Sequence, residues 1–189
     1  MSKKYLRQIS LFHRQLKETA KHFNAVDDAD RQRLLDFNQY AAKLFVLTVA
    51  SGFESLITKI LKRWIGRHSH SHKELVAFFE TKAIARQYHT LFDWRAKHNV
   101  NQFLGLFGDR FKKKAEKQIK KLSLDQPAGA IGNFLYLGNL RNELVHNDFI
   151  NFQMVDTLDD LKHKYDSAVD FIVLLESFFI PKTKKSKVS

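Results

Sequence analysis

The sequence predicts an all-α protein: an up-and-down helical bundle with additional short helices. It forms one domain over residues 1–180, followed by a short basic tail at 181–189 with too little apolar content to order itself. Three observations carry this reading. Only two prolines and seven glycines interrupt 189 residues, so little breaks the chain into short strands. Hydrophobic residues make up 44% of the chain, seventeen of them Phe, which is enough for a real core. Apolar residues recur at intervals of three and four over long stretches, the period of a helix with one buried face.

The first helix spans about Lys4 to His22, with Tyr5, Ile9, Phe12 and Leu16 on its apolar face and Lys and Arg between them. Asn24–Asp28 supplies turn and N-cap residues. The second helix is the longest, about Asp30 to Ile65, with Leu34, Phe37, Ala41, Leu44, Thr48, Ile57, Leu61 and Trp64 at helical spacing. Gly66 reads as the residue that ends it, and Ser51-Gly52 as a place for a kink. Glu54 falls on the stripe of Leu47, Ala50, Ile57 and Leu61, which faces the core. A carboxylate there needs a partner or a path to water, because unpaired burial costs several kcal/mol. Either it sits in a structural ion pair or at the rim, or it orients Arg141 or His146.

His68, His70 and His72 alternate in the segment that follows. Alternation can present imidazoles on one side of an extended chain, but no Cys or carboxylate cluster completes a metal shell. Ser71-His72-Lys73-Glu74 also reads as a capping box, so the stretch is taken as a loop and no metal is assigned. The third helix covers about His72 to Trp94, with Leu75, Phe78, Phe79, Ile84 and Leu91 inward. A short helix, Gln102 to Phe107, ends at Gly108. A basic helix, Asp109 to Leu122, carries Arg110, Lys112, Lys113, Lys114, Lys117, Lys120 and Lys121 against Asp109 and Glu116. After the turn at Ser123–Pro127, a helix from about Ala130 to His146 buries Ile131, Phe134, Leu137, Leu140, Leu144 and Val145. Asp156–Asp160 caps the last helix, which runs to about Phe179 on Leu161, Tyr165, Val169, Ile172, Leu175 and Phe179, and Pro181 stops it.

Charge and composition narrow the function. A formal net charge of +12 makes a polyanion the first candidate partner and a membrane surface the second. The absence of cysteine excludes a disulfide scaffold and any Cys-ligated metal. The N-terminus does not read as a signal peptide, and no apolar run approaches the roughly 20 residues of a membrane span. A cytoplasmic protein without a cofactor is expected. On the basic helix, Lys112, Lys113, Lys114, Lys117, Lys120 and Lys121 suit tracking along phosphates, although a solvated helix face reads the same way.

The chemistry concentrates in Gly138–Asp148. Arg-x4-His occurs three times, at Arg63/His68, Arg67/His72 and Arg141/His146. The first two straddle Gly66 and the His-rich loop. Only the third lies within an apolar helix, with Asn142 directly after the arginine. Histidine exchanges protons near neutral pH. Arginine offers a forked, fixed positive charge to a phosphate. Asn142 stands one turn before His146 and can bond substrate or imidazole. Arg141 and His146 are five residues apart, about 140° round an ideal helix. Either the helix ends before His146 or a second copy completes the site.

Leu140-Arg141-Asn142-Glu143-Leu144-Val145-His146 resembles the hallmark of the HEPN superfamily, Arg-Asn followed by His near a helix end. Ser51–Ile57 on a long helix and Asn101–Gly108 before a basic helix are similar to the prokaryotic group that carries the RiboL-PSP name. The resemblance implies a bundle that dimerises, with Arg141 and His146 of two protomers in one cleft. It also implies metal-independent RNA cleavage to 2′,3′-cyclic phosphate and 5′-hydroxyl ends, often in toxins or phage defence. Some toxin–antitoxin members carry a tyrosine two residues after the histidine, where the partner attaches nucleotides; here Asp148 stands there, with Phe149 next, which speaks against that mode. The expectation is therefore an endoribonuclease with catalytic Arg141, His146, Asn142 and, secondarily, Glu54, acting on RNA, with an antitoxin or other partner protein possible. The alternative is a catalytically silent RNA-binding or protein-interaction module.

Overall fold

The computed structural model describes residues 3–23, 27–69, 72–84, 88–96, 99–122 and 127–180. They fold as α1 (Lys3–Lys21), α2 (Asp28–His68), α3 (Lys73–Phe79) continued by a π turn (Glu80–Ile84), α4 (Tyr88–Leu91), α5 (Asn101–Gly105), α6 (Asp109–Leu122), α7 (Pro127–His146) and α8 (Leu158–Phe179). No strand occurs among the described residues, and the fold is a packed helical bundle. The tail at 181–189 and the turn at 123–126 lie outside the described residues.

α8 lies along α7 and α2, α1 along α2, and α2 also meets α7. α2 therefore has neighbours around most of its circumference. Phe45, Val46, Val49, Phe53 and Ile57 on it are essentially without solvent exposure. One 18-residue window of α2 is long and apolar enough to cross a membrane, contrary to the expectation from the sequence; 56% of it is buried within the bundle. Its apolar surface is thus largely covered by α1, α7 and α8, as in a core helix.

Aromatic rings fill the interior. Phe92 stacks on Phe103 at 4.6 Å between centroids, and Phe107, Phe111 and Phe179 cluster at 4.8–5.2 Å, with Trp64 edge-on to Phe107 and Phe179. Such offset and edge-to-face pairs stabilise beyond the area they bury, by about 1 kcal/mol each. At the surface, Lys17 and His13 of α1 meet Asp159 of α8 at 2.7 and 3.1 Å, and Arg63 of α2 meets Glu176 of α8 at 3.0 Å. Partly exposed pairs like these contribute at most about 1 kcal/mol, so they orient helices that the core has already joined.

Several expectations are corrected. α2 runs through Gly66 to His68, with Ser69 as its C-cap, because a helical glycine only lowers propensity and does not break the ladder. The helix also continues through Ser51-Gly52. Gly52 is buried where the Tyr5 ring lies against its Cα, and a Cβ there would overlap that ring. Leu44 and Thr48 face outward, while Lys43 is the buried member of that turn. The expected third helix is divided into α3, the π turn and α4. A π turn inserts a residue relative to the α period, so the apolar positions before it lose register with those after. Leu75, Phe78 and Phe79 are accordingly exposed, and only Leu91 is buried; the Ile84 side chain lies outside the described residues. His72, not Ser71, is the N-cap of α3, and its side chain makes no capping bond. Val145 on α7 is exposed rather than inward. By contrast, α8 opens on a full capping box, in which Thr157 accepts from the Asp160 amide and Asp160 from that of Thr157.

Two contacts from α2 fix the C-terminal exit of the site helix α7. Lys43, 1% exposed, donates to the carbonyls of Phe149 (2.7 Å) and Ile150 (3.0 Å), with its ammonium 5.2 Å from the Tyr40 and Phe149 ring centres. One turn earlier on α2, Gln39 exchanges two hydrogen bonds with the backbone of Met154. α2 thereby holds the connection from α7 to α8 at two points. Further up α7, the indole of Trp94 lies directly on Gly138, and its Nε1 donates to the His89 carbonyl at 2.7 Å.

Lys43→Met removes a charged donor from two inward carbonyls and is expected to cost about 2 kcal/mol, read as a lower urea midpoint at unchanged slope. Gly138→Ala would gain about 1 kcal/mol from helix propensity alone. Because the new methyl meets a pinned indole, a net loss of roughly 1–2 kcal/mol is expected instead, with a shift in tryptophan emission.

Candidate functional site

α7 presents the conspicuous stretch along one edge of the bundle. The helix is unbroken from Pro127 through His146. The possibility that it ends before the histidine is therefore excluded, and the 140° between Arg141 and His146 stands. The two side chains line different spaces.

Arg141 lines an inner cavity of about 120 Å³ between α2, α7 and the 88–94 segment. Its walls are the rings of Phe53, Tyr88, Trp94 and Phe134, and its polar lining is Glu54, Arg141 and Asn142 with His89 at the rim. The aromatic walls form one packed unit: Tyr88 and Trp94 are 5.6 Å apart, as are Trp94 and Phe134, and Phe53 and Phe134. Burial lifts the Tyr88 phenol well above its ordinary value. The charge of Glu54 pushes in the same direction, and that of Arg141 opposes it. The phenol therefore keeps its proton, and the two opposite charges both act at its ring.

His146 lines a wider, open groove of about 670 Å³, with Asp93, Arg95, Gln102, Asn139, Asn142, Glu143 and Asn147 among its walls. Asn142 and Trp94 border both spaces. Asn142 accepts from the Arg141 guanidinium at 3.1 Å, so the amide ties the arginine to the face that carries the histidine. Asn139 donates to Glu143 at 2.7 Å, bracing the groove floor across one helical turn. His146 sits in the last turn of α7.

Two residues after it, Asp148 accepts from the Ile150 amide at 3.0 Å and the Asn151 side chain at 2.6 Å. Those bonds, the Asn151 side chain first, hold its carboxyl below the usual carboxylate range. Asp148 thus serves the turn, and Phe149 lies half-buried under Lys43.

Glu54 is half-buried, and among the described residues it pairs with neither Arg141 nor His146; it faces the inner cavity instead. On α6, Phe111, Ala115 and Ile119 pack inward, while Arg110, Lys113, Lys114, Lys117 and Lys120 are exposed and Lys112 is half-buried. The side chain of Lys121 lies outside the described residues. α6 packs on α5, whose Gln102 forms part of the groove wall, while no described residue of α6 itself lines the groove.

In the His-rich segment, His68 hydrogen-bonds the Trp64 carbonyl at 2.8 Å and stacks near its ring, and His70 lies outside the described residues. No cluster of three or more His, Asp or Glu is gathered among the described residues. Sequence reasoning missed Tyr88, His89 and Trp94 as parts of the site. One signal pointed to them: Gly138 inside a strongly apolar helix marks a close approach by a large neighbour.

No curated protein and no solved structure matches the chain. The family model of RiboL-PSP-HEPN matches residues 3–180, which include both cavities, the basic helix and the Arg141–His146 turn. The chain belongs to the RiboL-PSP-HEPN family, and through it to the HEPN superfamily.

Proposed function

We propose that the protein is a metal-independent endoribonuclease of the HEPN type, acting as a toxin or phage-defence effector, with a site completed by a second copy of the chain. The observation that carries this reading is the placement of Arg141, Asn142 and His146 along the edge of a single continuous helix that lines two adjoining spaces. The family membership supports RNA as substrate and dimerisation as the general habit.

In this mechanism a neutral His146 imidazole takes the proton of a ribose 2′-hydroxyl. The 2′-oxygen attacks the adjacent phosphorus, and the bond from phosphorus to the 5′-oxygen breaks. An imidazolium returns a proton to that oxygen. The products are a 2′,3′-cyclic phosphate and a 5′-hydroxyl. Arg141 holds the non-bridging oxygens as negative charge builds on them. Asn142, bonded to Arg141 and facing the groove, keeps guanidinium and substrate in register. Because Arg141 and His146 diverge around α7, two helices facing one another bring an arginine and a histidine to one phosphate more readily than one helix does. The exposed row Arg110, Lys113, Lys114, Lys117 and Lys120 guides the RNA backbone toward the groove.

The same divergence favours a second reading, a silent RNA-binding module in which α6 carries the function and the helix edge only contacts RNA. Incubation of the purified protein with cellular RNA in EDTA separates the two. The nuclease reading expects cleavage that persists in chelator and falls by at least about a hundredfold in His146→Ala and in Arg141→Ala, with cyclic phosphate at the new ends. Unbroken RNA that is still retarded on a gel would establish the silent module. Equal cleavage by wild type and His146→Ala would remove the histidine from the chemistry.

A further inference from the structure

The inner cavity contains more recognition chemistry than a phosphate clamp requires. Glu54 supplies a half-buried carboxylate that, among the described residues, has no hydrogen bond or ion pair. Four aromatic rings wall the space in front of it. A carboxylate beside aromatic walls suits a flat ring that carries N–H donors. We propose that this cavity is a guanine pocket, taking the unstacked base next to the phosphate held by Arg141; the proposal rests on the RNA reading above.

Guanine is singled out by its edge. Its N1–H and N2–H donors lie side by side, so both point at the two oxygens of one carboxylate. Adenine and cytosine offer one amino group beside a ring acceptor, and uracil one N–H between two carbonyls; in each case a carboxylate meets a lone pair. The guanine O6, on the far side of N1, then faces donors, and Arg141 and Asn142 line the same space. Asn142 uses its oxygen to accept from Arg141, which leaves its amide N–H groups directed elsewhere.

Size limits how far a base can enter. At about 120 Å³ the cavity is smaller than the roughly 150 Å³ that encloses a benzene ring, so it takes only the N1–N2 edge of the base while the rest of the purine stays at the open mouth. That mouth is wet, since His89 is exposed and Glu54, Arg141 and Asn142 are half-buried. Trp94, pinned on Gly138 and on the His89 carbonyl, keeps the wall from collapsing inward. Asn142 borders both the pocket and the His146 groove, so a base seated inside lies beside the space open to the RNA backbone.

The test is fluorescence anisotropy of the full chain carrying His146→Ala, in EDTA, with short oligouridines whose central base is G, A, C or U. The expected result is binding of the G oligonucleotide on the order of tenfold tighter than the other three, as a bidentate base contact allows. Adding Glu54→Gln should reduce that preference to about twofold or less, because the amide presents a donor to one of the two N–H groups. The comparison among four bases needs no change at Glu54, so the proposal does not depend on that variant folding. Four equal affinities would overturn the pocket and leave the RNA reading standing. A G preference that survives Glu54→Gln would overturn the assignment to this cavity. No affinity for any oligonucleotide would remove both.

Discussion

A buried ammonium decides where the site helix stops. Lys43 sits in the middle of the longest helix and spends its positive charge on two backbone carbonyls just beyond His146. Carbonyls past a helix end have no partner in the helix ladder, and a cation is the strongest donor available to them. The same turn is tightened from its own side by Asp148 and from α2 by Gln39. With the exit of α7 fixed, the entry of α8 is fixed too, and the two helices can pack along their length against α2. The edge of α7 that carries Asn142 and His146 is then held toward the groove by the burial of Leu137, Leu140 and Leu144 behind it.

Much of this was legible in the residues, and the failures have particular causes. The bounds of α6 follow from Gly108, whose φ of +86° suits only glycine, and from an amphipathic run after it. The start of α8 follows from Thr157 and Asp160. The turn Arg141–His146 stands out in the sequence because an arginine, an amide and a histidine interrupt an otherwise apolar helix. Lys43 was not found, because a lysine reads as surface unless something shows that its amine has acceptors; those acceptors are backbone atoms 106 and 107 positions away. The aromatic lid was missed for a related reason. Tyr88 and Trp94 were assigned to one long helix whose register breaks at the π turn, and no pattern in a single sequence announces an inserted residue. Glu54 stands out in the sequence as a carboxylate on an apolar stripe, but its neighbours across the cavity come from two segments distant in sequence, α7 and residues 88–94, which periodicity cannot supply.

The two spaces on either side of Asn142 divide the chemistry of the helix edge. The inner one is small, walled by rings and supplied with one charge of each sign. The outer one is wide, polar and open, with His146 on its wall. Recognition benefits from enclosure, since excluded water strengthens each polar contact. Access to a polymer backbone needs the opposite, a groove through which a chain can pass. Adjacent faces of one helix thus present two different environments, one enclosed and one open.

The aromatic economy of the chain has an optical consequence. It contains two tryptophans, and the fold separates their surroundings. Trp64 is ringed by Phe107, Phe179 and His68, whereas Trp94 forms the wall of the inner cavity beside Tyr88 and Phe134. One chromophore therefore reports on the integrity of the aromatic core and the other on occupancy of the cavity. With Trp64 replaced by phenylalanine, the remaining emission becomes a built-in dye at the mouth of the site, reading events there without any attached label.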